Sequence, residues 1–147
     1  MNAVVKKHFT VAMDWKQKTL EQWLEQYGSW LLIDCHYERL GYSNQMGRLI
    51  DIANGVMRDN RRRSLPRCNI TDDQAQAVED MINHLMDTEN SKVKKWLTIM
   101  IDYHVNAYSE EQISRFYDMS RFAVTRDKML GLVRVATRFK INSHLTG

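Results

Sequence analysis

Apolar residues recur at helical spacing along most of the chain, and this pattern predicts a protein built from helices. The strongest stripe follows Asp14 and consists of Leu20, Trp23, Leu24, Tyr27 and Leu31. Positions spaced i, i+3, i+4 and i+7 share one face of a helix, so this stripe predicts a core helix. A shorter pattern between Ser43 and Gly55 predicts a second helix, and the aromatic N-terminal helices are therefore expected to span 14–57.

Two more helices are predicted between Thr71 and His104. Thr71 followed by Gln74 matches a capping box, in which each of the two side chains bonds to the backbone N–H of the other residue. Ser91 is expected to cap the next helix, since serine is a preferred N-cap residue. The inward positions predicted for these two helices are Ala75, Val78, Met81, Ile82, Leu85, Val93, Trp96, Leu97, Met100, Ile101 and His104.

Residues 109–139 have the pattern of a helix-turn-helix with an extended second helix. Ser109 and Gln112 form another capping-box pattern, and Ser120 can cap the second helix. The first position of the turn is often glycine because it adopts a left-handed conformation, which Asp118 tolerates better than most residues do. The predicted buried positions are Ile113, Tyr117, Met119, Val124, Met129, Leu132, Val133, Ala136 and Phe139.

The start of this second helix is the candidate DNA-binding site. In a helix-turn-helix these residues contact base edges, and an arginine there can donate two hydrogen bonds to guanine. The candidate contacts are Arg115, Ser120, Arg121, Phe122, Thr125, Arg126 and Lys128. Arg121 and Arg126 are expected to carry recognition, and Thr125 and Lys128 to make phosphate or secondary contacts. Two alternatives stay open: Phe122 can belong to the core, and the helix pair can be a solvated hairpin within a bundle.

An arginine-rich segment at 58–70 shows no hydrophobic period and is predicted to be a loop. Its basic residues are Arg58, Arg61, Arg62, Arg63 and Arg67. The planar guanidinium group can grip phosphate through two hydrogen bonds, which favours a contact with the nucleic-acid backbone. A simply solvated loop is the competing interpretation, because runs of charge are usually solvated.

Charge is distributed unevenly along the chain. The formal net charge of the 147 residues is only +3. Residues 68–90, however, contain six acids and no Lys or Arg, while residues 91–147 contain ten Lys or Arg against five acids, a net charge of +5. This favours nucleic acid as a partner of the C-terminal part, whereas the acidic helix is either solvated or faces a basic protein.

The length and the hydrophobic content of 44% predict one folded all-α domain over 1–147, a small helical bundle with an arginine-rich connecting loop. Its bundle part, including the helix-turn-helix, is expected at 71–147, with residues 140–147 as a frayed tail. There is no apolar run of 18 residues and no apolar N-terminal segment typical of a signal peptide. We therefore expect a soluble, intracellular protein with no membrane contact.

The sequence lacks the common catalytic motifs: a P-loop, GxSxG, HExxH and a dinucleotide-binding fingerprint are all absent. No pair of acids is placed together for metal or acid–base catalysis, which a phage-type nuclease would need for magnesium. Cys35, His36, Cys68 and His84 could supply four zinc ligands, but their spacing does not require it. We expect a protein that is not an enzyme and that has no metal or other cofactor, with a nuclease as the less favoured alternative.

Four segments resemble the phage antitermination protein Q family. They are LEQWLEQYGSWL, LGYSNQMGRLI, PRCNITDDQA and YSEEQISRFYDMSRFAVTRDKML, and the resemblance runs over about residues 19–139. In order they match an aromatic N-terminal helix, a Gly-Tyr-Ser turn, a basic loop with a cysteine, an acid-capped helix and a helix-turn-helix like that of sigma factor region 4. Two departures are visible: Asp118 stands where family turns often have glycine, and Phe122 where a polar residue is common.

The resemblance implies an all-α factor that binds a double-stranded DNA element near a phage late promoter, in the cytoplasm of a bacterial host cell. It would join bacterial RNA polymerase paused there and travel with it at the RNA exit channel, so that terminators are passed. Sigma factor and nascent RNA are further candidate partners. The alternative is a helix-turn-helix activator or repressor that stays at its promoter, because both kinds of protein need the same helix.

Overall fold

The computed structural model describes residues 13–38 and 64–146, except for the side chains of 34–38. Five α-helices make up most of these residues, together with a short 3-10 helix, Trp15–Gln17. They are α1 (Leu20–Glu38), α2 (Asp72–Thr88), α3 (Ser91–His104), α4 (Glu110–Tyr117) and α5 (Arg121–Phe139). No strand occurs in the described ranges, and the prediction of an all-α, small helical bundle is confirmed. The helix predicted between Ser43 and Gly55 lies outside them.

The predicted helix starts are set by side chains that bond to nearby backbone groups. Thr71 and Ser109 each form a complete capping box with the residue three positions on, as predicted. The start of α3 differs by one residue, because Asn90 and not Ser91 is the N-cap. Its side-chain oxygen accepts a hydrogen bond from the backbone N–H of Val93 at 3.0 Å. Asparagine caps as well as serine does, and it comes first in the chain.

The main core lies between α1, α2, α3 and α5. Its buried members on α1 are Leu20, Trp23, Leu24 and Tyr27, as the stripe predicted. They meet buried residues of the other helices, including Val78, Met81, Leu85, Leu97, Met100, Leu132 and Val135. None of the described helices has both the length and the apolar character that a membrane span requires.

Side-chain contacts fix the directions of the helices. Trp30 of α1 donates a hydrogen bond to Asp72 at the start of α2, and Tyr27 donates one to Glu79 further along, so α1 and α2 run antiparallel. On α5 and α3, the Lys128 ammonium lies over the ring of Tyr103. Gly131, which follows Lys128 on α5, lies against Trp96 and Met100, which precede Tyr103 on α3, so these two helices are antiparallel as well. The start of α5 therefore lies at the same end of the bundle as the end of α3.

Gly131 sets the rotation of α5 against α3. A Cβ atom at this position would lie 2.8 Å from the carbonyl oxygen of Trp96 and 3.1 Å from Cβ of Met100. The absence of a side chain lets the two helices approach closely, so the face of α5 that contains Gly131 turns inward. That face also carries Asp127 and Val135, which are both buried.

This rotation corrects part of the predicted stripe on α5. Leu132 and Ala136 are buried as expected, but Met129 and Val133 are exposed, by 43% and 39%. The prediction followed the bulkiest apolar residues and gave no weight to a glycine. The apolar side chains of Met129 and Val133 therefore lie on the outer surface of the bundle.

The predicted frayed tail is wrong for the described residues after α5. Ile141 is buried, and the carbonyl oxygen of Asn142 accepts a hydrogen bond from the backbone N–H of Leu20 at 2.7 Å. The Ser143 hydroxyl donates to the buried carboxylate of Glu21 at 2.7 Å. The tail is ordered because it supplies donors to a carboxylate that is buried in the first turn of α1.

Candidate nucleic-acid interface

Helices α4 and α5 are joined by a three-residue turn, Asp118 to Ser120. Asp118 is left-handed, with φ 52° and ψ 52°, as the sequence predicted for this position. Its backbone N–H and that of Met119 both donate to the carbonyl oxygen of Ser114, which closes the end of α4. Ser120 then caps α5 by accepting a hydrogen bond from the N–H of Ala123 at 3.1 Å.

A small separate core holds the two helices together. Ile113 of α4 and Val124 of α5 are buried against Ile99 of α3, and Met119 is partly buried beside them. Tyr117, which was predicted to be buried, is instead exposed and donates its hydroxyl hydrogen bond to Asp102. Partial burial and this bond raise the pKa of the phenol to about 12.

Glu110, the first residue of α4, joins α4 to α5 by two side-chain bonds. It accepts from the Lys128 ammonium at 2.9 Å and from the Thr125 hydroxyl at 2.8 Å. Burial would raise the pKa of Glu110, but the bonds from Lys128 and Thr125 outweigh that effect and lower it. Lys128 also lies 3.9 Å from the centre of the Tyr103 ring. Two of the candidate DNA contacts, Thr125 and Lys128, thus bond within the protein.

The other candidates at this end are on the surface. Arg115, Ser120 and Arg121 are exposed, and the Arg121 guanidinium makes no hydrogen bond or ion pair with any described residue. Arg126 is 56% exposed, and its Nε donates to the buried carboxylate of Asp127 at 3.1 Å. This bond holds the base of the guanidinium group and leaves its outer edge toward solvent.

Phe122 is also on the surface, with 78% of its area exposed. The alternative that placed Phe122 in the core is therefore wrong. It is the second residue of α5, between Arg121 and Ala123, and Arg126 follows one helical turn later on the same side. The start of α5 presents a phenyl ring with an arginine on either side.

Basic residues further along α5 are paired with acids. Glu89, a buried residue at the end of α2, accepts from Arg134 at 2.8 and 3.0 Å and from Arg138 at 2.9 Å. The bonds from Arg134, followed by those from Arg138, lower the pKa of this carboxyl although burial opposes them. The exposed basic side chains of α5 that make no hydrogen bond or ion pair with another described helix are therefore Arg121 and Arg126, at its start, although the charge of Arg121 also helps to lower the pKa of Glu110.

The last part of the arginine-rich segment is held along α1. The Gln26 amide donates to the carbonyl oxygen of Arg67 at 3.0 Å and accepts from the N–H of Asn69 at 2.7 Å. Ser29 donates to the carbonyl oxygen of Pro66 at 2.6 Å. These contacts hold the backbone and leave the Arg67 side chain exposed. Residues 64–70 have no helix or strand, in agreement with the predicted loop.

Gln26 and Ser29 were not identified from the sequence. Both side chains are buried, but they lie away from the apolar stripe of α1, so the hydrophobic periodicity gave no signal for them. Buried polar side chains need hydrogen-bond partners, and here those partners are the backbone of the basic segment. The remaining candidates of that segment, Arg58, Arg61, Arg62 and Arg63, lie outside the described residues.

The two basic regions share one end of the bundle. Gly28 of α1 lies against the backbone of Val105 at the end of α3, and Ser29 next to it bonds to Pro66. Since the start of α5 is at that same end, Arg67 and Arg121 lie toward the same end of the bundle. Among the described residues, no three His, Cys, Asp or Glu side chains are grouped as a metal site requires.

The fold and this surface define an all-helical protein with a basic, aromatic helix start exposed beside a tight turn. The chain belongs to the phage antitermination protein Q family, whose family model matches residues 17–137. This confirms the resemblance found in the sequence, and it supports a role in transcription antitermination. Comparison with curated proteins and with solved structures found no match in either set.

Proposed function

We propose that the protein is a DNA-binding antitermination factor that loads onto RNA polymerase paused near a phage late promoter and lets it read through terminators. Membership of the family supports antitermination and, in general, interaction with RNA polymerase and nucleic acids. The DNA-binding step is assigned to the start of α5, and α4, the turn and α5 act together as a helix-turn-helix.

The main observation behind this proposal is the position at which α5 exposes positive charge, namely its start. Lys128, Arg134 and Arg138 bond to acids of other helices, whereas Arg121 and Arg126 at the start of α5 reach solvent. In a helix-turn-helix this is the part that enters the major groove. Arginine at that place can read guanine with two bonds and can neutralise phosphate.

The first turns of the helices support the same assignment. Helices α2 and α4 each begin with two acids, the arrangement that the helix dipole favours. Helix α5, like α3, has no acid in its first turn, and its first residue is Arg121. A cation at this end is unfavourable for the isolated helix by about 0.3–1 kcal/mol, and a bound anion would remove that penalty.

The rigid attachment of α5 also favours recognition. The Glu110 bonds to Thr125 and Lys128 and the buried contact of Ile113 with Val124 hold α5 at a fixed angle to α4. Fixed side-chain positions limit the entropy lost on binding. DNA binding would then raise the local concentration of the protein next to the paused polymerase.

The arginine-rich segment is proposed to contact nucleic acid without reading its sequence, either upstream DNA or nascent RNA. The exposed Arg67, anchored through its backbone by Gln26, supports this role. Arginines on an extended segment bind phosphate by charge and need no base contact.

A transcription assay tests the proposal. The template carries a promoter, the genomic late-promoter fragment that the protein binds, and a strong terminator, and it is transcribed by bacterial RNA polymerase holoenzyme. The protein should increase the fraction of transcripts that pass the terminator, and the double variant Arg121→Ala/Arg126→Ala should lose this effect. Lys95→Ala, which removes an exposed charge on α3, is the matched control and should act like wild type.

The same assay distinguishes antitermination from the alternative function, regulation by a protein that stays at its promoter. A promoter-bound activator or repressor changes the number of transcripts started but not the fraction that passes the terminator. That outcome would replace antitermination by promoter regulation while retaining the role of α5. Readthrough unaffected by the wild-type protein would contradict the proposed function.

A further inference from the structure

Phe122 is the most exposed of the large hydrophobic side chains among the described residues, at 78%. The core beneath the start of α5 is filled by Ile99, Ile113 and Val124, so the phenyl ring has no role in packing. An exposed phenyl ring loses the favourable free energy of burial, which is large for an aromatic side chain. Its surface is thus available to a partner.

The immediate surroundings of Phe122 restrict that partner. Arg121 precedes the ring, and Arg126 lies on the same side one helical turn away. Arg115, the candidate contact on α4, is exposed as well. A negatively charged partner that offers an apolar group to the ring would fit this surface.

Duplex DNA offers such a group in the major groove. Guanine, adenine and cytosine present polar atoms there, and thymine adds its C5-methyl group, with which phenylalanine makes apolar contact. We propose that Phe122 contacts a thymine methyl group in the major groove, next to the bases or phosphates bound by Arg121 and Arg126. This inference rests on the proposed DNA-binding role of α5 and names what one of its residues reads.

Removing the methyl group tests the contact directly. A duplex that wild-type protein selects from a random-sequence pool is the probe, and each thymine in turn is replaced by deoxyuridine. Wild type should lose about fourfold in affinity at one position, the effect expected for one buried methyl group. Phe122→Ala should bind more weakly to the thymine duplex and show no further loss with deoxyuridine. Phe122→Leu should keep the methyl preference, since it keeps an apolar side chain.

Phe116 supplies the matched control. It is an exposed phenylalanine on α4, 52% accessible, with its ring edge-on to Tyr108. Phe116→Ala should respond to deoxyuridine as wild type does. Thermal unfolding of both alanine variants checks that neither change disturbs the fold, and Phe122→Ala should melt as wild type does.

Each other outcome overturns the inference. If wild type selects a duplex but no deoxyuridine alters its affinity, Phe122 does not read a methyl group, while DNA binding by the protein stands. The same conclusion follows if Phe122→Ala keeps the full deoxyuridine effect, as would happen if the ring stacks on an unpaired base or meets a protein. If no duplex is selected from the pool, both this inference and the DNA-binding role fail.

Discussion

The ammonium group of Lys128 on α5 lies 2.9 Å from a carboxylate oxygen of Glu110 on α4 and also over the face of the Tyr103 ring. A lysine that the sequence suggests as a phosphate contact is thus used to join two helices. The Glu110 carboxylate and the Tyr103 ring both stabilise the ammonium charge, and only 15% of the Lys128 side chain is exposed to solvent. Basic residues that bond within the protein should affect DNA binding less than basic residues whose side chains reach solvent.

Lys128→Ala should weaken the fold more than it weakens DNA binding. Loss of the Glu110 bond and of the contact with Tyr103 should lower the free energy of unfolding by about 1–2 kcal/mol, since both groups are largely shielded from water. The slope of log K against log salt for DNA binding should stay at the wild-type value, because an ammonium group held by Glu110 and Tyr103 is not expected to neutralise a phosphate. Urea unfolding and salt titrations measure the two quantities. A slope reduced by about one unit would instead place Lys128 on a phosphate.

Arg121→Ala and Arg126→Ala should each weaken specific DNA binding by about 1–3 kcal/mol if the arginine reads a base. The loss should be smaller on competitor DNA, because a base contact discriminates whereas a phosphate contact does not. Gel-shift titrations on the cognate fragment and on a scrambled duplex measure both affinities. Lys95→Ala, with a charge removed from α3, should leave the ratio of the two affinities unchanged. Unaltered specific affinity in both arginine variants would exclude these residues from recognition.

The pH dependence of stability should contain a contribution from Glu89. Its bonds from Arg134 and Arg138 make its pKa lower in the folded protein than in the unfolded chain. The ionised form is therefore favoured by folding, and the contribution is complete above the unfolded pKa, near about 4.3. It is lost as the pH falls through the folded value.

Glu89→Gln should remove this contribution. We expect the free energy of unfolding to fall by about 1.5–3 kcal/mol at pH 7, the range for hydrogen bonds to charged groups. The difference between variant and wild type should shrink below about pH 4. Asp87→Asn, an exposed acid on the same helix, is the control and should change stability little. A difference that is constant from pH 7 to pH 3 would show that the contribution of Glu89 to stability does not depend on its ionisation.

Gly131→Ala should destabilise the protein although alanine is the better helix former. The added methyl group would lie 2.8 Å from the carbonyl oxygen of Trp96, so α3 and α5 must separate. Overpacking of this kind costs about 1–3 kcal/mol, more than the gain of about 1 kcal/mol from helix propensity. Thr137→Ala, on the exposed side of α5, tests propensity alone and should be neutral or slightly stabilising. Thermal unfolding compares the two, and a Gly131→Ala variant as stable as Thr137→Ala would contradict the close approach.

Local signals in the sequence predicted the features that depend on neighbouring residues. The capping boxes at Thr71 and Ser109 and the cap at Ser120 each involve groups within three positions, so the sequence contains all their parts. The left-handed Asp118 is similar, because the turn length and the residue type together indicate it. The all-α class followed from the apolar spacing.

Features that depend on residues far apart in sequence were missed, because no local pattern contains both partners. Gly131 fixes the rotation of α5 only because α3 approaches it, and nothing near it in sequence indicates that face. The anchoring of Asn69 by Gln26 joins positions 43 residues apart. The Glu110 bonds to Thr125 and Lys128 span 15 and 18 positions, so the sequence did not show that these two candidate DNA contacts bond to α4.

Changing Arg61, Arg62 and Arg63 together to Gln should flatten the salt dependence of nucleic-acid binding and leave the preference among DNA sites intact. Each phosphate that is no longer neutralised reduces the slope of log K against log salt by about 0.9 on duplex DNA or about 0.7 on a single strand. If the segment contacts nascent RNA, the variant should still load at the promoter but fail to pass terminators. Footprinting at the promoter and the readthrough assay measure these two steps separately. Lys92→Gln/Lys95→Gln, which removes exposed charge from α3, controls for the change in net charge. A triple variant with the wild-type slope and full readthrough would mean that these three arginines are only solvated, and Arg58 and the anchored Arg67 would then be the basic side chains of the segment left to test.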